Sequence, residues 1–259
     1  MSDIDLDEMR SWSTEAGILA RQYFNQARSW RKADNTWVTE ADEAVEQMLV
    51  ERIATRYPDH GIIGEEQTRS GIEREFLWAI DPIDGTASFV SGLASWGISI
   101  GLLRDGVPYL GVIYLPILGD VYWCDTAGHA FWNDQRIHVA PHHSSWNNED
   151  WLSIPSDAHR YFQIAFPGKT RSLGCSIASL AYVARGSAIG ALLSRAAIWD
   201  IAAGLAILYA AGGQAIDLMG QPLHVGSMID GRKMPAACVF AEPTQVEALR
   251  SVITPTRAD

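Results

Sequence analysis

The segment WAIDPIDGT, residues 78–86, places two carboxylates at the end of an apolar run. Phe76–Ile80 has the length and composition of a buried strand. Asp81 and Asp84 follow it, with Pro82 between them. Proline removes one amide and fixes a turn, which lets two carboxylates and an intervening carbonyl face one side. Gly85 permits close backbone approach, and a helix opening near Thr86 offers free amides to a phosphate. The spacing is not that of an EF-hand loop, which has acids at alternate positions followed by Gly. Nor is it the DxDxT pattern of aspartyl-phosphate phosphatases. An ordinary polar turn remains the alternative for this segment taken alone.

Upstream, the apolar run Gly61–Gly64 reads as a second buried strand, followed by Glu65-Glu66. Ala41, Val45, Met48, Leu49 and Ile53 recur at helical spacing, which predicts a helix over 39–57 stopped by Pro58. Thr39 and Asp42 fit a capping box at its start. Another helix is expected over 11–30. Downstream, Ser99–Leu103 and Leu110–Leu115 flank Arg104-Asp105-Gly106, a hairpin signal. Val121–Cys124 and Ala130–Trp132 extend the strand-rich section, and Asn133-Asp134 reads as a turn. The polar stretch PHHSSWNNED, 141–150, marks an internal boundary, giving halves of 1–140 (α+β) and 141–259 (α/β). In the second half, Trp151–Ile154 and the apolar stretch Ala188–Leu193 alternate with helical segments, and a buried strand is expected at Ala236–Phe240. Helices are expected at Ser176–Ala184, at Asp200–Ala211 ended by Gly212-Gly213, and at Pro243–Val252.

Apolar residues make up 47% of the 259, enough for a sizeable core. Twenty Lys and Arg stand against 31 Asp and Glu, a net charge of −11. That balance argues against a nucleic-acid polymer or an anionic membrane as partner. It leaves a small anionic substrate open, because bound cations reverse a local field. Three scattered cysteines without a CxxC pair exclude a disulfide framework or zinc ribbon and suit a reducing cytoplasm. The acidic start MSDIDLDEMRSW lacks the features of a signal peptide, and no apolar run approaches the roughly 18 to 20 residues of a membrane span.

Acids therefore recur at element ends: Asp42, Glu65, Glu66, Asp81, Asp84 and Asp200. Hard oxygen donors of this kind suit magnesium. Each has a plainer reading: a cap for Asp42, a solvated turn for Glu65-Glu66, a helix-dipole acid for Asp200. Read together, VTEAD (38–42), GEE (64–66), WAIDPIDGT (78–86), RSLG (171–174) and WDIAAG (199–204) resemble the inositol monophosphatase family in order and spacing.

The resemblance implies a layered αβαβα sandwich and a magnesium-dependent phosphomonoesterase of a small phosphorylated metabolite. By matching positions, Glu65, Asp81, the Ile83 carbonyl, Asp84 and Asp200 would bind two to three magnesium ions. Most of these ligands lie in the first half, and Asp200 with the substrate side lies in the second. Lys32, Asp42, Glu65 and Thr86 match the family's catalytic positions, Asp42 and Thr86 orienting the attacking water. Asp84, Gly85, Thr86, Gly174, Cys175, Ser176 and Asp200 match its substrate-side positions. Lithium inhibition and a homodimer are also implied.

Three departures stand out. Leu193 occupies the position, seven before Asp200, where some members carry a polyol-contacting Glu; nearby Arg195 could substitute or be a plain surface residue. Cys175 replaces a usual Ser or Thr and reads as a small buried residue, and Ser88 stands where Asn is common. Inositol-1-phosphate is the expected substrate. Histidinol phosphate, 3′-phosphoadenosine 5′-phosphate, fructose 1,6-bisphosphate and NADP are alternatives, and a metal-binding regulatory module is the non-enzyme rival. His138, His142 and His143 are irregularly spaced and are not expected to bind metal. Ser156, His159, Arg160 and Tyr161 fall in a loop of open role.

Overall fold

The computed structural model describes residues 4–141 and 145–256, so His142 and His143 lie outside the described residues. Helix α1, Leu6–Tyr23, starts five residues before the expected position, because the Asp5 side chain accepts from the amides of Asp7 and Glu8 and caps it. It also ends well before residue 30: Asn25 takes a positive φ of 66°, and the chain enters a strand at Ser29–Arg31. That strand pairs with Trp37–Thr39 in a short antiparallel hairpin. Helix α2, Glu40–Arg56, opens on the Thr39–Asp42 capping box and buries Ala41, Val45, Leu49 and Ile53.

An eight-stranded sheet follows. Its order is Gln135–Ile137, Ala130–Trp132, Asp120–Cys124, Val107–Leu115, Gly97–Arg104, Phe76–Asp84, Gly61–Gly64 and Arg69–Ser70. All pairings are antiparallel except that of Gly61–Gly64 with Phe76–Asp84. The strand expected over 76–80 runs on to Asp84 through a bulge. Asp81 pairs with Ser99 and Asp84 with Gly97, so Pro82 and Ile83 together stand opposite the single residue Ile98, one extra residue on this strand. Proline has no amide to leave unpaired there, and a bulge re-aims the side chains around it. Helix α3, Thr86–Val90, begins at once after Gly85.

The second half supplies a five-stranded sheet in the order Lys169–Arg171, Trp151–Ser153, Gly190–Leu193, Cys238–Ala241 and Gln214–Asp217. Its helices are α4 (Ala158–Tyr161), α5 (Ser176–Ala184), α6 (Ile198–Ala210) and α7 (Pro243–Ser251). Helices α1 and α2 cover one face of the large sheet, α5 and α6 lie between the two sheets, and α7 covers the far face of the small one. The layers are therefore αβαβα. Gly101 and Gly111 face each other across adjacent strands, and α6 rests on them. A Cβ on Gly101 would come 2.7 Å from that of Ala202, and one on Gly111 would strike the Ala203 backbone. The close approach buries nearly all of α6, Ile198 and Ile201 to Leu208 included. At roughly 1.5–3 kcal/mol for each large apolar side chain buried, this contact is a principal bond between α6 and the large sheet. No helix among the described residues is long and apolar enough to cross a membrane.

Candidate active site

The bulged strand end, the first turn of α6 and the start of α5 meet at one place. Asp81, on the bulge, is 1% exposed, and its Oδ1 accepts the Ile83 amide at 3.0 Å. Asp200 is the third residue of α6, and its Oδ2 accepts the Ala197 amide at 2.7 Å, a cap that aims the carboxylate back toward the sheet. Asp84 uses Oδ2 to accept the Cys175 thiol at 2.9 Å and the Ile177 amide at 2.8 Å. Cys175 is buried, as expected, but it is more than a filler: its side chain and the start of α5 fix the orientation of Asp84. A ligand oxygen from each of Asp81, Asp84 and Asp200 lies within 4.8 Å of the others.

Burial pushes all three acids upward, and their mutual repulsion adds to it. Asp81 is held well above the usual carboxylate range, Asp84 reaches about 6 and Asp200 about 8. None of the three takes part in an ion pair among the described residues. Two buried carboxylates and a half-buried one, with no ion-pair partner among the described residues, are a costly arrangement that a divalent metal relieves, and an all-oxygen donor set suits magnesium. The acids line a cleft of about 380 Å³ together with Glu65, the Ile83 segment, Gly85 and Thr86.

Asp42 is wholly buried and serves two partners. Its Oδ2 accepts the Thr39 amide at 2.8 Å and the Thr39 hydroxyl at 2.5 Å, while the Thr86 hydroxyl lies 3.3 Å from Oδ1. That hydroxyl is also 3.1 Å from the Ile83 carbonyl, so its single proton goes to one or the other. The capping reading and the catalytic reading of Asp42 thus describe opposite oxygens of one side chain. Burial pushes its pKa up to about 7 against the Thr39 hydrogen bonds, near the range a proton acceptor needs at neutral pH.

Lys32 lies in the hairpin loop, its ammonium 2.8 Å from Glu65 Oε1 and 2.7 Å from Glu66 Oε1. Burial opposes its charge, but the two carboxylates outweigh that and hold it above the ordinary lysine range. Burial pushes Glu66 up to about 8 against the pull of Lys32. Glu65 therefore stands at the cleft with one oxygen on Lys32.

A model of the inositol monophosphatase family matches residues 5–250. The chain belongs to the inositol monophosphatase family. Its phosphatase relatives include a histidinol-phosphatase of Chlorobaculum parvum, 34% identical over 90% of this chain and 92% of that protein. An inositol-1-monophosphatase of Mesorhizobium japonicum is 31% identical over 78% and 81%. Among solved structures, the Thermotoga maritima inositol monophosphatase superposes with a TM-score of 0.82 at 27% identity, covering 95% of each chain. The chain is a phosphomonoesterase of this family, and its αβαβα layers are the family's.

Beside the acids, Gly85 takes φ 87°, and a Cβ there would come 3.0 Å from the Gly174 carbonyl. Gly174 and Cys175 thus abut the DPIDGT turn from the other half, and Ser176 opens α5. Leu193 is 7% exposed at the end of its strand and offers no polar contact. Arg195 pairs with Asp157 and lies 4.7 Å over the Tyr161 ring, which ties it to α4, the helix that replaces most of the loop expected there. His138 is exposed and joins no metal-holding cluster among the described residues.

Two features of the site carry little signal in the sequence. Arg31 and Trp37 line the cleft from the hairpin, the guanidinium 3.7 Å from the ring centroid; an Arg and an aromatic flanking Lys32 are the only local signal. Glu46 is a buried carboxylate on α2, betrayed only by its place one helical turn after Asp42.

Proposed function

We propose that this chain hydrolyses inositol-1-phosphate with magnesium. The observation that carries the hydrolase reading is the trio of Asp81, Asp84 and Asp200, two of them buried and one half-buried, without an ion-pair partner among the described residues, beside the Asp42–Thr86 pair. In this reading Asp81, Asp84, Asp200, Glu65 and the Ile83 carbonyl hold the metal. A magnesium ion held there would supply a polarised water and charge stabilisation at the leaving oxygen. Asp42 accepts from Thr86 and fixes the direction in which the Thr86 oxygen's lone pairs present themselves to an attacking water. The Gly85 and Thr86 amides, at the start of α3, would hold phosphate oxygens, and the Lys32 ammonium pairs with one Glu65 oxygen.

The polyol reading is supported by the names of inositol phosphatase relatives. A second reading, histidinol phosphate, is favoured by the buried Leu193, which leaves sugar-alcohol hydroxyls without a carboxylate, and by the relative that spans most of both chains. Phosphate release from purified protein with magnesium distinguishes them: the fastest kcat/KM is expected on inositol-1-phosphate, suppressed by lithium. Preference for histidinol phosphate would assign the second reading. No release from any ester by folded, magnesium-bound protein would sink the hydrolase reading.

Asp42→Asn tests the proton-handling role. The variant is expected to lose on the order of 10²–10⁴ in kcat, while its magnesium affinity, measured by calorimetry, stays close to wild type. A drop in magnesium affinity that accounts for the whole loss would place Asp42 among the metal ligands instead.

A further inference from the structure

We propose that Glu46 is the positioning residue that holds the Glu65 turn ready for metal, so that helix α2 sets the distance between Asp42 and Glu65. The inference rests on the reading of Glu65 as a metal ligand.

Glu46 is 4% exposed, among the apolar residues of the buried face of α2. No cation pairs with it among the described residues. Its charge is met by donors from one short turn. The Glu66 amide donates to Oε2 at 2.7 Å, and the Gln67 and Thr68 amides each donate to Oε1 at 3.2 Å. The Thr68 hydroxyl adds a bond to Oε1 at 2.7 Å. Consecutive amides converging on one anion form a nest, here closed around the chain's own carboxylate.

Glu65 immediately precedes those three amides. On its other side, a Cβ at Gly64 would lie 2.6 Å from the Glu46 carboxyl carbon, so the carboxylate fills the space a side chain would need. Glu65 is therefore flanked in both directions by backbone that rests on Glu46. Asp42 stands one helical turn earlier on the same face, where residues four apart are neighbours. A rigid helix turn thus carries the partner of Thr86 at one end and the anchor of the Glu65 turn at the other. Burying a carboxylate close to Glu65 and Glu66 is unfavourable in itself; the donors it collects are all backbone or side chain of the turn that presents Glu65.

Glu46→Gln keeps the shape but replaces one acceptor oxygen with a donor, so either the Glu66 amide or the Gln67–Thr68 set loses its partner. Calorimetric titration with magnesium alone is expected to show affinity lowered about 10- to 100-fold, the loss typical when a group supporting a metal ligand is removed. At saturating magnesium most of kcat should return, with KM for the phosphomonoester unchanged. Thr68→Val removes one donor from the same carboxylate and is expected to shift affinity in the same direction by less, which keeps the test alive if Glu46→Gln does not fold. Wild-type magnesium affinity in folded variants, even with a lowered melting temperature, would reduce Glu46 to a structural residue and overturn the proposal. If the wild-type protein itself binds no magnesium, the reading of Glu65 and the acid trio as a metal site fails first, and this inference with it.

Discussion

Asp81→Asn is expected to abolish magnesium-dependent phosphate release while making the metal-free protein more stable at pH 8. Asp81 is almost fully buried on the bulge, and after burial itself its neighbours' charges, Glu65, Asp84, Asp200 and Asp42, oppose its ionisation. Asparagine is close in shape, and its side-chain oxygen can still accept the Ile83 amide, so the bulge keeps its internal bond. What disappears is one acid from a cluster whose three members have no ion-pair partner among the described residues. Without metal that acid's charge is a liability, and its removal should raise the melting temperature. With metal it is a ligand. A loss of about 4 kcal/mol of transition-state stabilisation, in the range a metal supplies, corresponds to about 10³ in rate. Steady-state kinetics and thermal melts in chelator read the two effects separately. Activity within tenfold of wild type, or a lower melting temperature without metal, would contradict the assignment of Asp81.

The second large effect is a reversal of pH dependence by magnesium. Asp84, Asp42 and Asp200 are pushed from an ordinary 3.8 to about 6, 7 and 8, so across that window the folded, metal-free protein binds more protons than the unfolded chain. Stability then falls as pH rises from about 4 to 8, and the contribution is fully present only below the unfolded values. Magnesium requires the deprotonated carboxylates, so its stabilisation grows over the same range. At a hundredfold excess over its dissociation constant a ligand adds about 2.7 kcal/mol, which for a chain of this size shifts melting by roughly 5–10 °C. Melting curves at pH 5 and pH 8, with chelator and with magnesium, are expected to show that gain at pH 8 and little of it at pH 5. An equal gain at both pH values would mean that the metal binds elsewhere than at these acids.

The electrostatics behind both results were only partly legible in the sequence. Acids at element ends were visible, because caps, turns and strand lengths are local signals; the strands Gly61–Gly64 and Ala130–Trp132 and the helix Ser176–Ala184 form at the expected residues. The early helix was shifted, since Asp5 as its cap competes with no apolar pattern that periodicity could detect. The strand of Asp81 outruns its apolar run Phe76–Ile80, because a bulge at Pro82 and Ile83 lets the pairing resume at Asp84 where local signals indicate a turn. The hairpin carrying Lys32 was missed because its first strand is exposed and does not alternate.

What the sequence determined by itself is the set of parts: a phosphatase-family pattern, layered sheet and helix segments, and carboxylates spaced for a hard cation. Periodicity and capping act within a few residues, so one chain reports them without its fold. Tertiary structure alone decided how those acids share charge and partners. The docking of α5 brings the Cys175 thiol onto Asp84, 91 residues away in sequence, and turns a small buried residue into an orienting group. The seating of α6 on Gly101 and Gly111 carries Asp200 to the bulge, where burial and repulsion raise the three acids together. Burial of Glu46 against residues 66–68 binds the Glu65 turn to the helix of Asp42. These are interactions between distant segments in a low-dielectric interior, where a charge takes its properties from whatever packing has placed beside it.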